Sequence, residues 1–207
     1  MIGRDSGGGV GQAGLYDLAA ITGGSALVIA SALRARRLTV SEREMQRFRR
    51  ANDLPDALHV PAWVVMQLGS LGGVWVVAAV YHVVGRAAAA KQLALVGTAV
   101  WGGVKLVKPL VGRGRPSRHL DDVRVRGRPQ SGGGFPSGHA AVSVTMALVG
   151  APDSAPAVAT ILFGAAAATS VARMYVGAHL PLDVAGGVGI GLVAGGITRA
   201  ARAVFGQ

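Results

Sequence analysis

Three short clusters of polar residues lie in the second half of an otherwise apolar chain. They are Lys108 with Arg115-Pro116, then Pro136-Ser137-Gly138-His139, then Arg173 with His179 and Asp183. Fixed cations can hold an anion, and histidine and aspartate side chains supply nucleophilic and acid/base groups. Each cluster alone has an ordinary structural interpretation, so the chemistry depends on their occurring together.

The second cluster predicts the start of a helix. Ser137 is placed as the N-cap, so the amides of Gly138 and His139 fall in a first turn that has no intrahelical acceptor. Such a turn binds anions, because the helix dipole favours negative charge and glycine lets a ligand approach the backbone closely. The glycines at 132–134 allow the preceding loop to fold over a ligand. A lone Ser-Gly-His would indicate only a cap.

The third cluster predicts a histidine and its orienting carboxylate. Pro181 is a favoured first-turn residue, which places Asp183 in the first turn of a helix and within reach of His179. A carboxylate on one ring nitrogen sets the tautomer and raises the nucleophilicity of the other nitrogen. An isolated pair of this kind is more often structural. Lys108 and Arg115 alone would equally well be snorkelling anchors at the end of a membrane span.

Composition indicates a membrane protein. Of 207 residues, 51% are hydrophobic and 15% are charged, which is too apolar for an ordinary soluble domain. The chain has no cysteine, so disulfides, thiolate zinc sites and cysteine nucleophiles are excluded. The net charge of +11 is compatible with nucleic acid, anionic lipid or a phosphate-bearing substrate. Nucleic acid is disfavoured, because the basic residues fall between apolar segments and no binding module with interleaved aromatics is present.

Six membrane-spanning helices in one domain, residues 1–207, are the predicted all-α architecture. Residues 60–84 and 155–172 carry no formal charge and meet the length of about 17 to 25 residues that a bilayer requires. Weaker candidates are residues 18–33, 92–107, 137–151 and 184–198. Six spans place both termini on one side of the membrane and all three polar clusters on the other. The predicted active site therefore lies at one membrane face.

Three connecting features carry further expectations. Residues 42–50 have helix-forming composition, with Met45 and Phe48 on one face, and form either an interfacial helix or a solvated charged turn. Residues 112–135 are rich in Gly, Arg, Pro and Ser, so we expect a loop that lacks regular structure until something packs on it. Gly187, Gly191 and Gly195 recur at four-residue spacing and predict close helix packing inside the bundle.

Taken together, the clusters resemble the signature of the type 2 phosphatidic acid phosphatase (PAP2) superfamily, over roughly residues 60–200. Residue types, internal spacings and order along the chain all agree. One departure is visible: family members commonly have Ser directly before the third-cluster Arg, where this chain has Ala172. The family Ser makes a supporting phosphate contact, so its loss affects the expected affinity rather than the reaction class.

The resemblance implies a metal-independent lipid phosphatase that needs no cofactor. His179 would attack phosphorus and become a phosphohistidine, Asp183 would orient it, and His139 would act as general acid and then general base. The phosphoryl oxygens would be surrounded by five groups: Lys108, Arg115, Ser137, the Gly138 amide and Arg173. Fixed cations suit phosphoryl transfer, which requires mainly positioning and charge neutralisation.

The remaining histidines have plainer interpretations. His59 and His82 lie near the ends of an apolar span and are expected to form hydrogen bonds at the membrane interface. His119 lies in the loop on the side of the clusters, beside Asp121 and Asp122, where contact with a head group is the less favoured of its two interpretations.

The substrate is expected to be amphiphilic, with its tail among helices or lipid. Polyprenyl phosphates and diphosphates, phosphatidic acid and phosphatidylglycerol phosphate all fit, and small bacterial family members that serve cell-envelope lipid carriers favour a polyprenyl phosphate. A non-catalytic lipid-phosphate binding or transport component is the alternative; its mark would be loss of His139, His179 or Asp183, and all three are present. Soluble vanadium haloperoxidases resemble the same signature but lack charge-free spans.

Orientation in the cell membrane is open. Sixteen of the 21 Lys and Arg residues lie on the side of the clusters. The positive-inside rule places that side in the cytoplasm, whereas most bacterial relatives place it outside. Seven of the sixteen have no role in the expected catalysis: Arg34, Arg36, Arg37, Arg43, Arg47, Arg49 and Arg50. The sequence leaves the oligomeric state undetermined.

Overall fold

The computed structural model describes residues 8–37 and 39–205, and the described chain is built from α-helices joined by short 3₁₀ turns and loops. The helices are α1 Gly8–Ala35, α2 Glu42–Asn52, α3 His59–Met66, α4 Leu71–Val83, α5 Ala87–Val111, α6 Gly138–Gly150, α7 Pro156–Tyr175 and α8 Pro181–Phe205.

Within this part of the chain, four helices are long and apolar enough to cross a membrane: α1, α5, α7 and α8. A fifth crossing is possible if the bent pair of α3 and α4 counts as one span, and α6 is a shorter apolar helix. The predicted all-α membrane fold is confirmed. The count of six is approximate, because it depends on the bent pair and on the 13 residues of α6.

The expectation of one continuous span over residues 60–84 is wrong. The chain bends by 72° between α3 and α4, with a 3₁₀ turn at Gln67–Gly69. Ser70 then caps α4, since its hydroxyl donates to the Gln67 carbonyl at 2.7 Å and accepts from the Gly73 amide at 3.0 Å. Gly69 at the bend packs on the His139 backbone, because a Cβ there would lie 2.8 Å from the His139 Cα. A hydropathy average over the two helices does not reveal such a break.

The short helix α6 lies at the centre of the bundle. It packs against α5, α7 and α8, and Ala140, Ala141, Val142 and Val149 are fully buried. Together with Val74 and Leu93, α6 forms the largest apolar cluster. A helix surrounded by other helices presents little surface to lipid, so it does not need the full span length that a lipid-facing helix requires.

The predicted glycine ridge on α8 is confirmed as a packing surface inside the bundle. A Cβ at Gly191 would lie 2.6 Å from the Ala141 carbonyl oxygen of α6, and one at Gly195 would lie 2.7 Å from the Leu148 Cδ1. On another side of α8, Gly189 packs closely on Gly24 of α1. Small residues let helix backbones approach closely in lipid, where dispersion contacts replace the hydrophobic effect as the driving force.

Residues 42–50 form the helix α2, and its apolar face packs on protein. Ser41 caps it, accepting from the Glu44 amide at 3.3 Å. Phe48, only 1% exposed, packs with Leu120 and Leu180, and Met45 joins this cluster. The loop after α5 has a single 3₁₀ turn, Pro116–Arg118, among its described residues. The loop is held by α2, whose Asn52 side chain exchanges two hydrogen bonds of 2.9 Å with the Arg124 backbone.

Candidate active site

The three polar clusters converge at one end of the bundle. Lys108 lies in the last turn of α5, Arg115 in the following loop, and Arg173 in the last turn of α7. All three cations lie close enough to His139 and His179 to act on both electrostatically. The fold therefore joins residues from three separated stretches of chain into one cationic, histidine-bearing site.

These cations bind neutral acceptors. The Lys108 ammonium donates to the Gly133 carbonyl at 2.9 Å, and Arg115 donates to the carbonyls of Ala178 at 2.8 Å and Ser131 at 3.1 Å. Arg173 contacts the Met66 sulfur at 3.5 Å. Within the described chain, the Nε atoms of both arginines are buried without a hydrogen-bond partner. Buried N–H groups of this kind are suited to an anion, because a charge-assisted hydrogen bond would compensate for their lost hydration.

His179 is buried beside Asp183. Its Nδ1 lies 3.6 Å from Asp183 Oδ2, which is longer than a hydrogen bond of about 2.7–3.2 Å. The predicted pair is thus adjacent, while Oδ2 itself accepts from the Leu180 amide at 2.8 Å. Burial, followed by the charges of Arg173, Lys108 and Arg115, lowers the pKa of His179 well below its ordinary value. The imidazole is therefore neutral, which is the nucleophilic form.

The start of α6 adds a backbone element to the site. Ser137 is fully buried and caps the helix, with its hydroxyl 3.5 Å from the Ala140 amide. Its own amide donates to the Asp183 carbonyl at 2.8 Å, which ties the second cluster to the third. Gly138 and His139 then occupy the first turn and are half-buried. The predicted N-cap geometry is confirmed.

A cavity of about 260 Å³ opens at this site. It is lined by His139, Arg115 and Arg173 together with α3 and residues 125–130 of the loop. Pockets that enclose whole drug-sized ligands are about 300–1,000 Å³. This cavity is therefore of a size for a small polar group rather than for a whole drug-sized ligand.

The other histidines lie in three different places. His59 lies at the start of α3 and is part of the cavity wall, beside the candidate active site. His82 is exposed in the last turn of α4. His119 packs near Gly114, with its Nε2 buried and without a partner among the described residues, and it is absent from the cavity wall.

Two charged residues next to the site are not among the predicted ones. Arg113 and Glu44 are 1% and 6% exposed and form a bidentate ion pair that also contacts Asp183. Arg113 lies between Lys108 and Arg115 in the sequence, and this position inside the first cluster could have identified it as a site residue. Glu44 lies 69 residues away in a helix rich in arginine, and no local pattern marks it.

Metal ligands are not grouped in the part of the chain that the structure describes: no three His, Cys, Asp or Glu side chains are placed to share an ion. The described residues that supply positive charge at the site are Lys108, Arg115 and Arg173.

The described chain is thus an integral-membrane helical bundle with two histidines and three cations at one end, an arrangement suited to an anion. The PAP2 superfamily model matches residues 87–205, more than half of the chain, and the protein belongs to that superfamily. The match includes all three polar clusters. Family membership implies phosphatase activity in a membrane setting.

Solved structures support the same assignment. LpxE of Aquifex aeolicus is 30% identical over 76% of this chain and 94% of its own, with a TM-score of 0.67. A transmembrane PAP2-type phosphatidylglycerolphosphate phosphatase from Bacillus subtilis is 18% identical, covers 88% of this chain and 96% of its own, and has a TM-score of 0.71. The second similarity concerns the fold alone. No curated protein matches the chain.

Proposed function

We propose that the protein is a cell-membrane phosphatase that hydrolyses a phosphomonoester or diphosphate of a lipid through a phosphohistidine at His179. The observation that carries the proposal is the cluster of three cations, bound only to neutral acceptors, around two histidines at the end of a membrane bundle. An anion with about the size of a phosphate group is the ligand that this charge favours.

The first chemical step is an in-line displacement at phosphorus. Nδ1 of His179 faces Asp183, so Nε2 is the attacking atom. A bond forms from Nε2 to phosphorus while the bond from phosphorus to the lipid oxygen breaks, and His139 donates a proton to that oxygen. Lys108, Arg115 and Arg173 neutralise charge on the non-bridging oxygens, and the Gly138 amide donates to one of them.

The second step reverses these roles. Water attacks the phosphohistidine, His139 takes the proton from that water, and the bond from Nε2 to phosphorus breaks to release inorganic phosphate. The same residue acts first as acid and then as base, as microscopic reversibility requires for a two-step displacement. Asp183 stabilises the positive charge that His179 acquires on attack.

The location and the size of the cavity support an amphiphilic substrate. The cavity accommodates a head group, and the walls from α3 and α7 belong to segments that face lipid, with Trp63 55% exposed. A tail can therefore lie in the bilayer while the phosphate enters the site. Polyprenyl phosphate or diphosphate, phosphatidic acid and phosphatidylglycerol phosphate meet this description, and a polyprenyl phosphate is our first choice.

The test is phosphate release from these lipids by the purified protein in detergent. His179→Ala should lower the rate by at least about 10³-fold, because residues that act with the nucleophile as a unit are each nearly indispensable. The matched control is His82→Ala, which removes an exposed histidine from α4 and should leave the rate within about 2-fold.

Phosphate labelled with ³²P on a rapidly quenched enzyme should be acid-labile and alkali-stable in the wild type and absent in His179→Ala. Equal rates in wild type and His179→Ala would overturn the nucleophile assignment. Tight binding of the lipids by the wild type without any phosphate release would instead indicate the lipid-phosphate binding component.

A further inference from the structure

The buried guanidinium of Arg113 connects two carboxylates from distant parts of the chain. It donates to Glu44 Oε1 at 3.0 Å and to Oε2 at 2.8 Å, and to Asp183 Oδ1 at 3.1 Å. Arg113 is 1% exposed, Glu44 6% and Asp183 fully buried. Because the three groups are desolvated together, each depends on the others for its compensating charge and hydrogen bonds.

Both oxygens of Asp183 are held by this arrangement. Arg113 holds Oδ1, and the Leu180 amide holds Oδ2, the atom that faces His179. A carboxylate with one contact can rotate about its side-chain torsions, whereas one with a contact on each oxygen is confined. The direction from Oδ2 to the imidazole is therefore set in part by Arg113, which never touches the ring.

Glu44 extends the connection to the start of α8. Its Oε1 also accepts from the Leu182 amide at 3.0 Å, one residue before Asp183. The carboxylate thus holds both the guanidinium that fixes Asp183 and the first turn that carries Asp183. Phe48 of α2 packs against Leu120 and Leu180. Glu44 therefore belongs to a short helix that packs beside the site and is not one of the long spans.

We infer that Arg113 and Glu44 are positioning residues for phosphoryl transfer, which orient His179 through Asp183; this inference rests on the proposed function. The Arg113 guanidinium is already bound by the carboxylates of Glu44 and Asp183, so we expect neither Arg113 nor Glu44 to contact the head group. The pair therefore acts on the rate of the chemical step rather than on substrate affinity. Partners that orient a metal ligand typically contribute about 10–100-fold to activity, and we expect a similar magnitude for partners that orient Asp183.

A purely structural role would be to fasten α2 to the bundle. The chain contains a matched example in Arg49 and Asp122, which form an ion pair at 2.8 Å between α2 and the loop, with side chains 47% and 55% exposed. That pair joins an α2 residue to the same loop without contacting Asp183. Arg49→Met is therefore the control for loss of an arginine that only fastens the helix.

The experiment measures kcat and KM for Arg113→Met, Arg113→Lys and Glu44→Gln. We expect kcat to fall about 10–100-fold in Arg113→Met and to recover in part in Arg113→Lys, which keeps the charge but loses the two-sided contact. KM should stay within about 2-fold, because uniform substrate binding is untouched. Arg49→Met should keep the wild-type kcat. Folding of each variant is checked by its melting temperature and elution profile in detergent.

A double-mutant cycle with Asp183→Asn supplies the decisive comparison. If Arg113 acts through Asp183, adding Arg113→Met to Asp183→Asn should lower kcat by less than about 3-fold further. Full additivity, or wild-type kcat in folded Arg113→Lys and Glu44→Gln, would overturn the positioning role. If Arg113→Met does not fold, the same criteria apply to the Lys and Gln variants, which keep the site's volume and polarity.

The two proposals fail separately. A wild type whose phosphate release is unaffected by His179→Ala removes the proposed function, whatever the Arg113 variants do. A wild type that depends on His179, combined with unchanged kcat in the folded Arg113 and Glu44 variants, leaves the phosphatase in place and removes only the positioning pair.

Discussion

The two ends of the helical bundle carry similar cations, but only the end away from the candidate site pairs one of the compared cations with a carboxylate. At the end away from the candidate site, Arg199 pairs with Asp17 at 2.7 Å, and Arg202 bonds the Gln92 side chain and the Val149 carbonyl. At the site end, Lys108, Arg115 and Arg173 bind backbone carbonyls and a thioether. Arg113, which is paired with Glu44 and Asp183, lies outside the cavity wall, whereas Arg126, which is paired with Asp56 at 2.8 Å, is part of the wall.

Cations that stabilise the fold and cations that are available to a ligand are therefore held by different partners. A cation held by a carboxylate is already neutralised and has little left to offer a ligand. Three neighbouring cations without a carboxylate of their own repel one another and have lost part of their hydration, so an arriving phosphate group relieves both costs. The site end is thus prepared for an anion, and the opposite end is arranged to hold helices together.

Removing one cation from each end of the bundle should have very different consequences. Arg173→Met should lower kcat/KM for lipid phosphate by about 10²–10³-fold, as for loss of one preorganised donor to transition-state charge. Arg199→Met, the matched loss at the other end, should lower the melting temperature while the folded protein keeps its kcat/KM, because Asp17 loses its partner far from the cavity. Comparable losses of activity in the two variants would contradict the proposed separation of roles.

A loss of stability is expected when the packing of α8 on α6 is disturbed. Gly191→Ala should destabilise the protein by about 1–3 kcal/mol, because the new methyl group would lie 2.6 Å from the Ala141 carbonyl oxygen. The control is Gly164→Ala in α7, where no atom beyond the local helix backbone lies within 4 Å of the added Cβ. Thermal unfolding in detergent measures both, and an equal melting temperature in the two variants would remove α8 packing on α6 as a source of stability.

A small effect is expected at position 172, which tests whether this residue contacts the phosphate. Ala172, where relatives commonly have Ser, is buried in an apolar cluster with Met66, Tyr175 and Val176. A serine hydroxyl there can bond the carbonyl four residues earlier in α7 instead of a phosphate. Ala172→Ser should therefore change KM by less than about 2-fold. A tenfold lower KM would show that position 172 reaches the phosphate after all.

Much of the architecture was predictable because its signals are local. Charge-free runs predicted the membrane helices, and the spacing of Gly187, Gly191 and Gly195 predicted a packing ridge. The prediction failed at residues 67–70, where no charged residue interrupts the apolar run but the chain bends by 72° at a 3₁₀ turn followed by the capping Ser70. The roles assigned to the three polar clusters stay predictions, although the fold places the clusters together as their joint chemistry requires.

Residue type, spacing and apolar length are properties of short segments, so the amino-acid sequence was enough to identify the reactive groups and the membrane setting. Which charges are neutralised and which are left for a ligand depends on the three-dimensional fold. Glu44 and Arg113 are 69 positions apart, and Glu44 and Leu182 are 138 apart, yet they meet beside Asp183. Pairing of buried charges is settled by three-dimensional proximity and shared desolvation, which no local pattern records.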